Sequence, residues 1–294
     1  MNKPKDEPGL QTILSHCGRN LEASGGYVNV PPYEGSTILH DDMEDLFGRV
    51  DNHLYGDGTA QTYGTDGGPT HEAFYDAMNK LEGGAGTWAF STGLAGCTIP
   101  MMAFLKTGDH MLVTDSVYGP TRQFCEVLLK NFGVEAEFYE PTIGAGIEKL
   151  IRPNTRLIYM ESPGTHTFEM QDVPAIAAVA RKYNIVTMID NTYATPLNFQ
   201  PLKHGVDVVV HSATKYICGH SDVLMSTVTC NEKNWKQVRD VCKMTGQYAS
   251  AQSVYLGLRG LRTLKVRLDA VGVHTRKVVD WLLKREEVKK VIWP

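Results

Sequence analysis

Short apolar segments alternate with segments of helical spacing through the middle of the chain, and this alternation limits the possible fold more than any other feature. The apolar segments are rich in β-branched or aromatic residues and lie at 110–114, 134–139, 156–160, 185–189, 206–210 and 224–229. Short runs of this kind suit strands that are buried on both faces. Helical spacing marks the segments 70–82, 93–106, 120–132 and 173–183. The pattern predicts an α/β fold, with a mostly parallel sheet and helices on both of its faces.

The two ends of the chain depart from this alternation. Residues 1–62 are predicted to form an N-terminal arm and loops, because the periodic pattern begins only after a stretch crowded with Gly and Asp. Residues 63–260 then form one large α/β domain. We expect 261–294 to be a linking helix and the start of a truncated C-terminal domain, because 288–294 resembles the opening of a strand without a partner.

Charge and composition exclude several classes of protein. The 294 residues include 29 Lys and Arg against 33 Asp and Glu, a net charge of −4, which argues against a nucleic-acid partner. No apolar run approaches the ~20 residues that a membrane span requires, so we expect a cytoplasmic protein without a membrane partner. The six cysteines form no C-x-x-C pair and have no histidine at metal-ligand spacing. We therefore expect no metal site and no disulfide framework.

An acid and an amine follow two neighbouring predicted strands. Asp190 comes directly after the segment 185–189, and Lys215 lies just past 206–210. The carboxyl ends of parallel strands share one edge of a sheet, where open α/β sheets bind ligands. A pyridoxal 5'-phosphate (PLP) site needs such a pair, because the amine forms the Schiff base and the carboxylate keeps the pyridine nitrogen protonated. An isolated Asp and Lys are more often exposed surface residues, so the interpretation needs further support.

Residues near this pair supply that support. Ser212 and Thr214 bracket the lysine with hydroxyls suited to phosphate oxygens. Gly93 and Leu94 open a predicted helix, whose free N–H groups favour a phosphate. Tyr118 can stack on a flat heteroaromatic ring, although a structural tyrosine is equally compatible with the pattern. Together these residues favour a PLP site.

The sequence is similar to the cystathionine lyase and synthase family, PLP enzymes of cysteine and methionine metabolism. The similarity rests on motifs that keep the family order and extend over nearly the whole chain from about residue 35. They are YGTDGGPTHEAFYDAMNKLEGG (63–84), STGLAG (91–96), ESPGT (161–165), IDNTYATP (189–196), HSATKYICGHSD (211–222) and RGLRTLKVRL (259–268). ESPGT and TKYICGHSD favour the β-eliminating members.

The resemblance implies an aminotransferase-like architecture, PLP fold type I, and a role for each candidate. Lys215 becomes the Schiff-base lysine, Asp190 the partner of the ring nitrogen, and Tyr118 the stacking residue. The implied phosphate ligands are the N–H groups of Gly93 and Leu94 and the hydroxyls of Ser212 and Thr214.

A tyrosine and an arginine of a Y-x-R motif also reach the phosphate across a dimer interface in this family. Tyr63 matches the tyrosine, so the resemblance implies a homodimer or homotetramer, with Tyr63, Tyr118 and Lys215 as catalytic residues. The arginine position holds Thr65, which removes a bidentate cation from the phosphate. The family's substrate-gripping arginine lies in a C-terminal domain beyond Pro294, so we expect weakened substrate binding.

The implied reaction is β-elimination from a sulfur amino acid, with L-cystathionine cleaved to homocysteine, pyruvate and ammonia. γ-Elimination and γ-replacement within the family remain open, as does a catalytically silent PLP-binding remnant. A nicotinamide-dependent oxidoreductase ranks third. The glycine loop at 84–89 resembles a dinucleotide fingerprint, but the pattern predicts a helix before it and a strand after it, the reverse of what that motif requires.

Overall fold

The computed structural model describes residues 8–56 and 58–294. In this part of the chain seven strands form one sheet, in the spatial order β1-β7-β6-β5-β4-β2-β3. They are β1 (Gly86–Phe90), β2 (His110–Thr114), β3 (Glu135–Tyr139), β4 (Thr155–Glu161), β5 (Val186–Asp190), β6 (Val208–His211) and β7 (Ser226–Cys230). All six predicted segments become strands, and their ends shift by at most two residues.

The direction of each strand follows from the connection that precedes it. β2 to β6 pair in parallel, because helical crossovers return the chain to the same edge of the sheet. No helix lies between β6 and β7, and β7 runs antiparallel to both β6 and β1. The prediction of a mostly parallel α/β sheet is confirmed. The β6–β7 connection, which contains Lys215, therefore stays at the carboxyl edge of the parallel strands.

Ten α-helices accompany the sheet in residues 8–56 and 58–294. They are α1 (Leu10–His16), α2 (Met43–Tyr55), α3 (Pro69–Glu82), α4 (Gly93–Thr98), α5 (Gly119–Gln123), α6 (Val173–Lys182), α7 (Thr195–Asn198), α8 (Glu232–Met244), α9 (Ala251–Leu261) and α10 (Leu264–Leu282). Shorter turns of 3₁₀-helix cover Gly64–Asp66, Ile99–Ala103, Gly144–Leu150 and Pro201–His204, and a π-helical turn covers Phe124–Leu129.

The strands bury both faces because consecutive side chains point to opposite sides. Met111 of β2 packs into a cluster with α4 and α8, whereas its neighbour Leu112 packs into a second cluster with α6. A third cluster places α3 and α9 against Ala89 and Met225. Helices thus cover both faces, and the carboxyl ends of the parallel strands remain accessible.

Two predicted helices change type along their length. The segment 93–106 is α-helical only to Thr98 and then tightens to a 3₁₀-helix at Pro100, which lacks an N–H for the regular ladder. The segment 120–132 begins as α5 and widens into the π-helical turn. Helical periodicity predicts that a helix forms, but it does not resolve these local changes of pitch.

Both ends of the chain differ from the expectation. The N-terminal end has more regular secondary structure than the predicted arm and loops, and the C-terminal end has less than the predicted strand. The N-terminal segment contains α1 and α2, while residues 1–7 and 57 of the predicted arm lie outside the described residues. The C-terminal residues 288–294, expected to open a strand, have no regular secondary structure. The domain boundaries and the cytoplasmic location stay predictions. None of the helices in the described residues is long and apolar enough to cross a membrane.

Candidate active site

A cavity of about 500 Å³ opens at the carboxyl ends of β4, β5 and β6. It contains seven of the eight predicted cofactor-binding residues, namely Gly93, Leu94, Tyr118, Asp190, Ser212, Thr214 and Lys215. These residues come from four separate stretches of sequence, which the parallel strands and the start of α4 bring to one edge. This convergence identifies the candidate active site.

Asp190 and Lys215 face the same cavity, as the strand argument requires. Asp190 is the last residue of β5 and only 7% exposed; its Oδ1 accepts the Thr192 N–H at 2.9 Å, and its Oδ2 accepts the Cys97 thiol at 3.5 Å. Lys215 lies in the turn after β6, where its backbone N–H donates to the Ser212 carbonyl oxygen at 3.0 Å and its side chain is exposed. The buried acid is fixed in place, and the amine remains accessible from the cavity.

A set of hydrogen-bond donors lies where α4 begins. Gly93 and Leu94 are the first two residues of this helix, whose capping residue Thr92 accepts the Ala95 N–H through its side chain. A Cβ atom on Gly93 would lie 2.8 Å from Ser212 Oγ, so a larger residue at this position would force the serine hydroxyl to move. Two backbone N–H groups and one hydroxyl therefore converge, as a phosphate requires.

The hydrogen bonds of the Thr214 hydroxyl differ from the predicted phosphate contact. Its Oγ1 donates to the Met225 carbonyl oxygen at 3.1 Å and accepts the Met225 N–H at 2.9 Å. The hydroxyl proton is thus already used within the β6–β7 connection. To donate to a phosphate, Thr214 would have to give up the carbonyl of Met225, so its phosphate role stays a prediction.

Tyr118 borders the cavity from the loop before α5. Its side chain is 44% exposed, and its backbone N–H donates to Glu161 Oε2 at 2.8 Å. An aromatic ring so placed can cover one face of a bound heteroaromatic ring. The stacking role inferred from the sequence is compatible with this position and stays a prediction.

Tyr63 lies outside this cavity. It borders a separate one of about 230 Å³, together with His53, Asp66 and Lys243. Asp66 accepts the Tyr63 N–H at 3.1 Å and has an oxygen 3.4 Å from His53 Nδ1. One chain therefore does not bring Tyr63 to Lys215, and a role at the phosphate would require a second copy of the chain.

Glu161 was not among the predicted site residues. It ends β4 directly beside Asp190, with which it pairs in the sheet register, and it is 8% exposed. Burial, with a further contribution from Asp190, raises the pKa of Glu161 to about 8. The sequence carries a signal for it, since Glu161 follows the apolar segment 156–160 as Asp190 follows its own strand.

An aromatic wall was also missed. The ring centres of Phe168 and Tyr193 lie 5.3 Å apart, and those of Tyr193 and Tyr216 lie 6.1 Å apart, all three in the cavity lining. His166 completes this side, and both His166 and Phe168 adopt positive φ angles. No periodic signal marks these loop residues, because their convergence depends on the tertiary fold.

Comparison with known proteins agrees with this geometry. Residues 11–294 match the family described as Cys/Met metabolism PLP-dependent enzyme. The chain belongs to this family. It is 44% identical over 286 residues to a putative cystathionine β-lyase of Rhizobium johnstonii, covering 97% of this chain and 70% of that protein. It is 39% identical over 287 residues to the cystathionine β-lyase of Haemophilus influenzae, covering 97% and 72% of the two chains.

A solved structure shares the fold as well. The cystathionine γ-lyase of Lactobacillus plantarum, in complex with L-serine, superposes with a TM-score of 0.87 at 30% sequence identity. The superposition covers 96% of this chain and 71% of that one. The predicted family and aminotransferase-like fold class are thereby confirmed, and PLP is the cofactor of the family.

The charges in the cavity fit PLP. Asp190 and Glu161 are adjacent and buried, and neither forms an ion pair with a Lys, Arg or His side chain in residues 8–56 and 58–294. A protonated ring nitrogen would supply a positive charge beside Asp190. Lys215 offers an amine for the aldehyde, and the start of α4 offers donors for the phosphate. When bound, PLP supplies an electron sink for negative charge at the substrate Cα.

Proposed function

We propose that the protein catalyses β-elimination from a sulfur amino acid, with L-cystathionine cleaved to homocysteine, pyruvate and ammonia. The observation that carries the proposal is the convergence of Lys215 and Asp190 in one cavity of a family whose members depend on PLP. The names of two similar proteins, both cystathionine β-lyases, favour this substrate.

Each side chain has a defined task in the proposed reaction. Lys215 Nζ would hold the cofactor through its aldehyde and would take the proton from the substrate Cα. The Asp190 carboxyl group would accept a hydrogen bond from the ring nitrogen, and Tyr118 would cover the ring. As the Cβ–S bond breaks, the leaving sulfur takes a proton from Lys215 or from the Tyr118 hydroxyl, in the usual manner of general acid catalysis.

The proposed active form is a dimer or a tetramer. Tyr63 is 51% exposed and does not line the cavity that contains Lys215, so we infer that it acts at a phosphate in a second copy of the chain. Light scattering at the concentration used for the assay tests this point, because a fully active monomer would rule out a catalytic role for Tyr63.

The products of L-cystathionine distinguish the candidate reactions. The purified chain with PLP should release pyruvate and homocysteine. The similarity to a γ-lyase structure makes γ-elimination the second candidate, and it would instead release 2-oxobutyrate and cysteine. PLP binding without any keto acid would contradict both and favour a silent remnant. Retention of a nicotinamide cofactor by Lys215→Ala would favour the oxidoreductase.

A further inference from the structure

Glu161 contacts two loops of the cavity lining through one carboxyl group. Its Oε2 accepts the backbone N–H of Tyr118 at 2.8 Å, from the loop before α5. Its Oε1 accepts the hydroxyl of Thr165, from the loop that follows β4. The side chain therefore links two loops whose residues are 43 and 4 positions away in the sequence.

The two linked loops lie side by side in the lining of the cavity. Tyr118 lines the cavity from one loop, and Thr165, His166 and Phe168 line it from the other. The two loops also contact each other directly, because the Thr165 N–H donates to the Ser116 carbonyl oxygen at 2.8 Å. Among the described residues, the Tyr118 N–H has Glu161 as its acceptor, so loss of the carboxyl group would leave this donor without a protein partner.

Both oxygens of Glu161 are thus engaged by the protein, which leaves them poorly suited to bind substrate. Asp190 lies beside Glu161 and accepts bonds from Thr192 and Cys97 instead. The two acids therefore have different surroundings: Asp190 is held by the residues after its own strand and by α4, whereas Glu161 is held by the Tyr118 loop and the Thr165 loop.

We propose that Glu161 is a positioning residue, whose carboxyl group fixes the spacing between the Tyr118 loop and the Thr165 loop and so presets the cavity for the flat cofactor ring. The inference rests on the proposed function for the identity of that ring. A neutral side chain of the same shape can do the same work, because glutamine offers an oxygen to the Tyr118 N–H and an amide N–H to Thr165.

Four variants test this role in the full chain. Glu161→Ala removes both bonds, and Glu161→Gln retains their geometry. Thr165→Val removes one bond to Glu161. Thr167→Val makes the same change two residues away, on an exposed side chain that does not line the cavity and whose hydroxyl donates to the Thr165 carbonyl oxygen at 3.3 Å and not to Glu161. The readouts are the Kd of PLP and the hydrogen-exchange rate of the Tyr118 amide in the cofactor-free protein. Circular dichroism checks that each variant is folded.

The two lost bonds are expected to raise the Kd of PLP about tenfold or more in Glu161→Ala, since about 1.4 kcal/mol corresponds to a factor of ten. Exchange of the Tyr118 amide should accelerate by a similar factor. Glu161→Gln should stay within about threefold of the wild type in both measurements, Thr165→Val should fall between the two, and Thr167→Val should match the wild type.

Three results would overturn the inference. The first is a Kd of PLP and an amide exchange rate in Glu161→Ala that equal those of the wild type. The second is failure of Glu161→Gln to restore them, because the role would then need the charge rather than the two bonds. The third is a wild-type chain that binds no PLP, which would also overturn the proposed function. If Glu161→Ala does not fold, the comparison of Thr165→Val with Thr167→Val tests the inference by the same two measurements. Equal values in these two variants would then overturn it.

Discussion

Replacing Gly260 by alanine should disturb the turn that contains Lys215, on the side where α9 packs against it. Gly260 lies in α9, and a Cβ atom there would overlap the carbonyl oxygen of Ile217 and lie 2.8 Å from that of Cys218. Both carbonyls belong to the backbone just after Lys215 and cannot rotate away as the end of a side chain can. Either α9 or the turn must move.

The expected cost follows from two opposing effects. Overpacking of a buried site costs about 1–3 kcal/mol, and contact with backbone atoms places this site at the upper end of that range. The higher helix propensity of alanine offsets about 1 kcal/mol of this overpacking cost. The net loss in the free energy of unfolding should be about 2 kcal/mol, or a fall in Tm of roughly 4–8 °C.

Gly272→Ala provides the matched control, since it makes the same substitution in α10 where no atom lies within 4 Å of the new Cβ. It should raise the stability by about 0.5–1 kcal/mol. Thermal unfolding of the cofactor-free proteins measures both effects, and PLP titration shows whether the Lys215 turn has moved. Equal stability of the two variants, or unchanged PLP affinity in Gly260→Ala, would refute this reasoning.

Further predictions concern the cavity itself. Lys215→Ala should abolish pyruvate release while PLP remains bound non-covalently, visible by absorbance; unchanged turnover would contradict the mechanism. Gly93→Ala should weaken PLP binding about tenfold, because its Cβ would crowd Ser212 Oγ at 2.8 Å; dialysis measures this, and wild-type affinity would contradict the assigned phosphate site. The folded pKa of Glu161, about 8, lies above its ordinary value of 4.5, so its contribution to stability is complete below about pH 4.5 and is lost as the pH rises through about 8. Denaturant titrations at pH 5 and pH 8.5 should therefore show a decrease of a few kcal/mol in the wild type that Glu161→Gln lacks; equal pH dependence of the two proteins would contradict this assignment.

The parts of the site that the sequence predicted are those positioned by parallel strands. Asp190 and Lys215 follow apolar segments, and the strand-end rule places both at one edge without knowledge of the loops. The same rule applies to Glu161, which follows the apolar segment 156–160 as Asp190 follows 185–189. Such predictions depend on short-range periodicity alone.

Other features depend on contacts between distant segments. Thr214 is chemically suited to a phosphate, yet its hydroxyl serves the Met225 backbone, and no local pattern shows this. The wall formed by Phe168, Tyr193 and Tyr216 assembles from three loops. Tyr63 matches a family motif, but the phosphate site that it would reach belongs to a second copy of the chain. Motifs predict the chemistry of a side chain more reliably than they predict which hydrogen bonds it has already made.

The C-terminal motif at 259–268 contains none of the proposed catalytic residues, and the structure gives it a physical role. Arg267 of α10 donates to the carbonyl oxygens of Tyr216 at 2.6 Å, Ile217 at 3.2 Å and Gly260 at 2.9 Å. One guanidinium group thus ties the junction of α9 and α10 to the residues directly after Lys215. Close approach at Gly260 makes these bonds possible, because a larger residue would push the turn outside the reach of Arg267. The motif therefore acts on the reacting amine through the backbone that carries it.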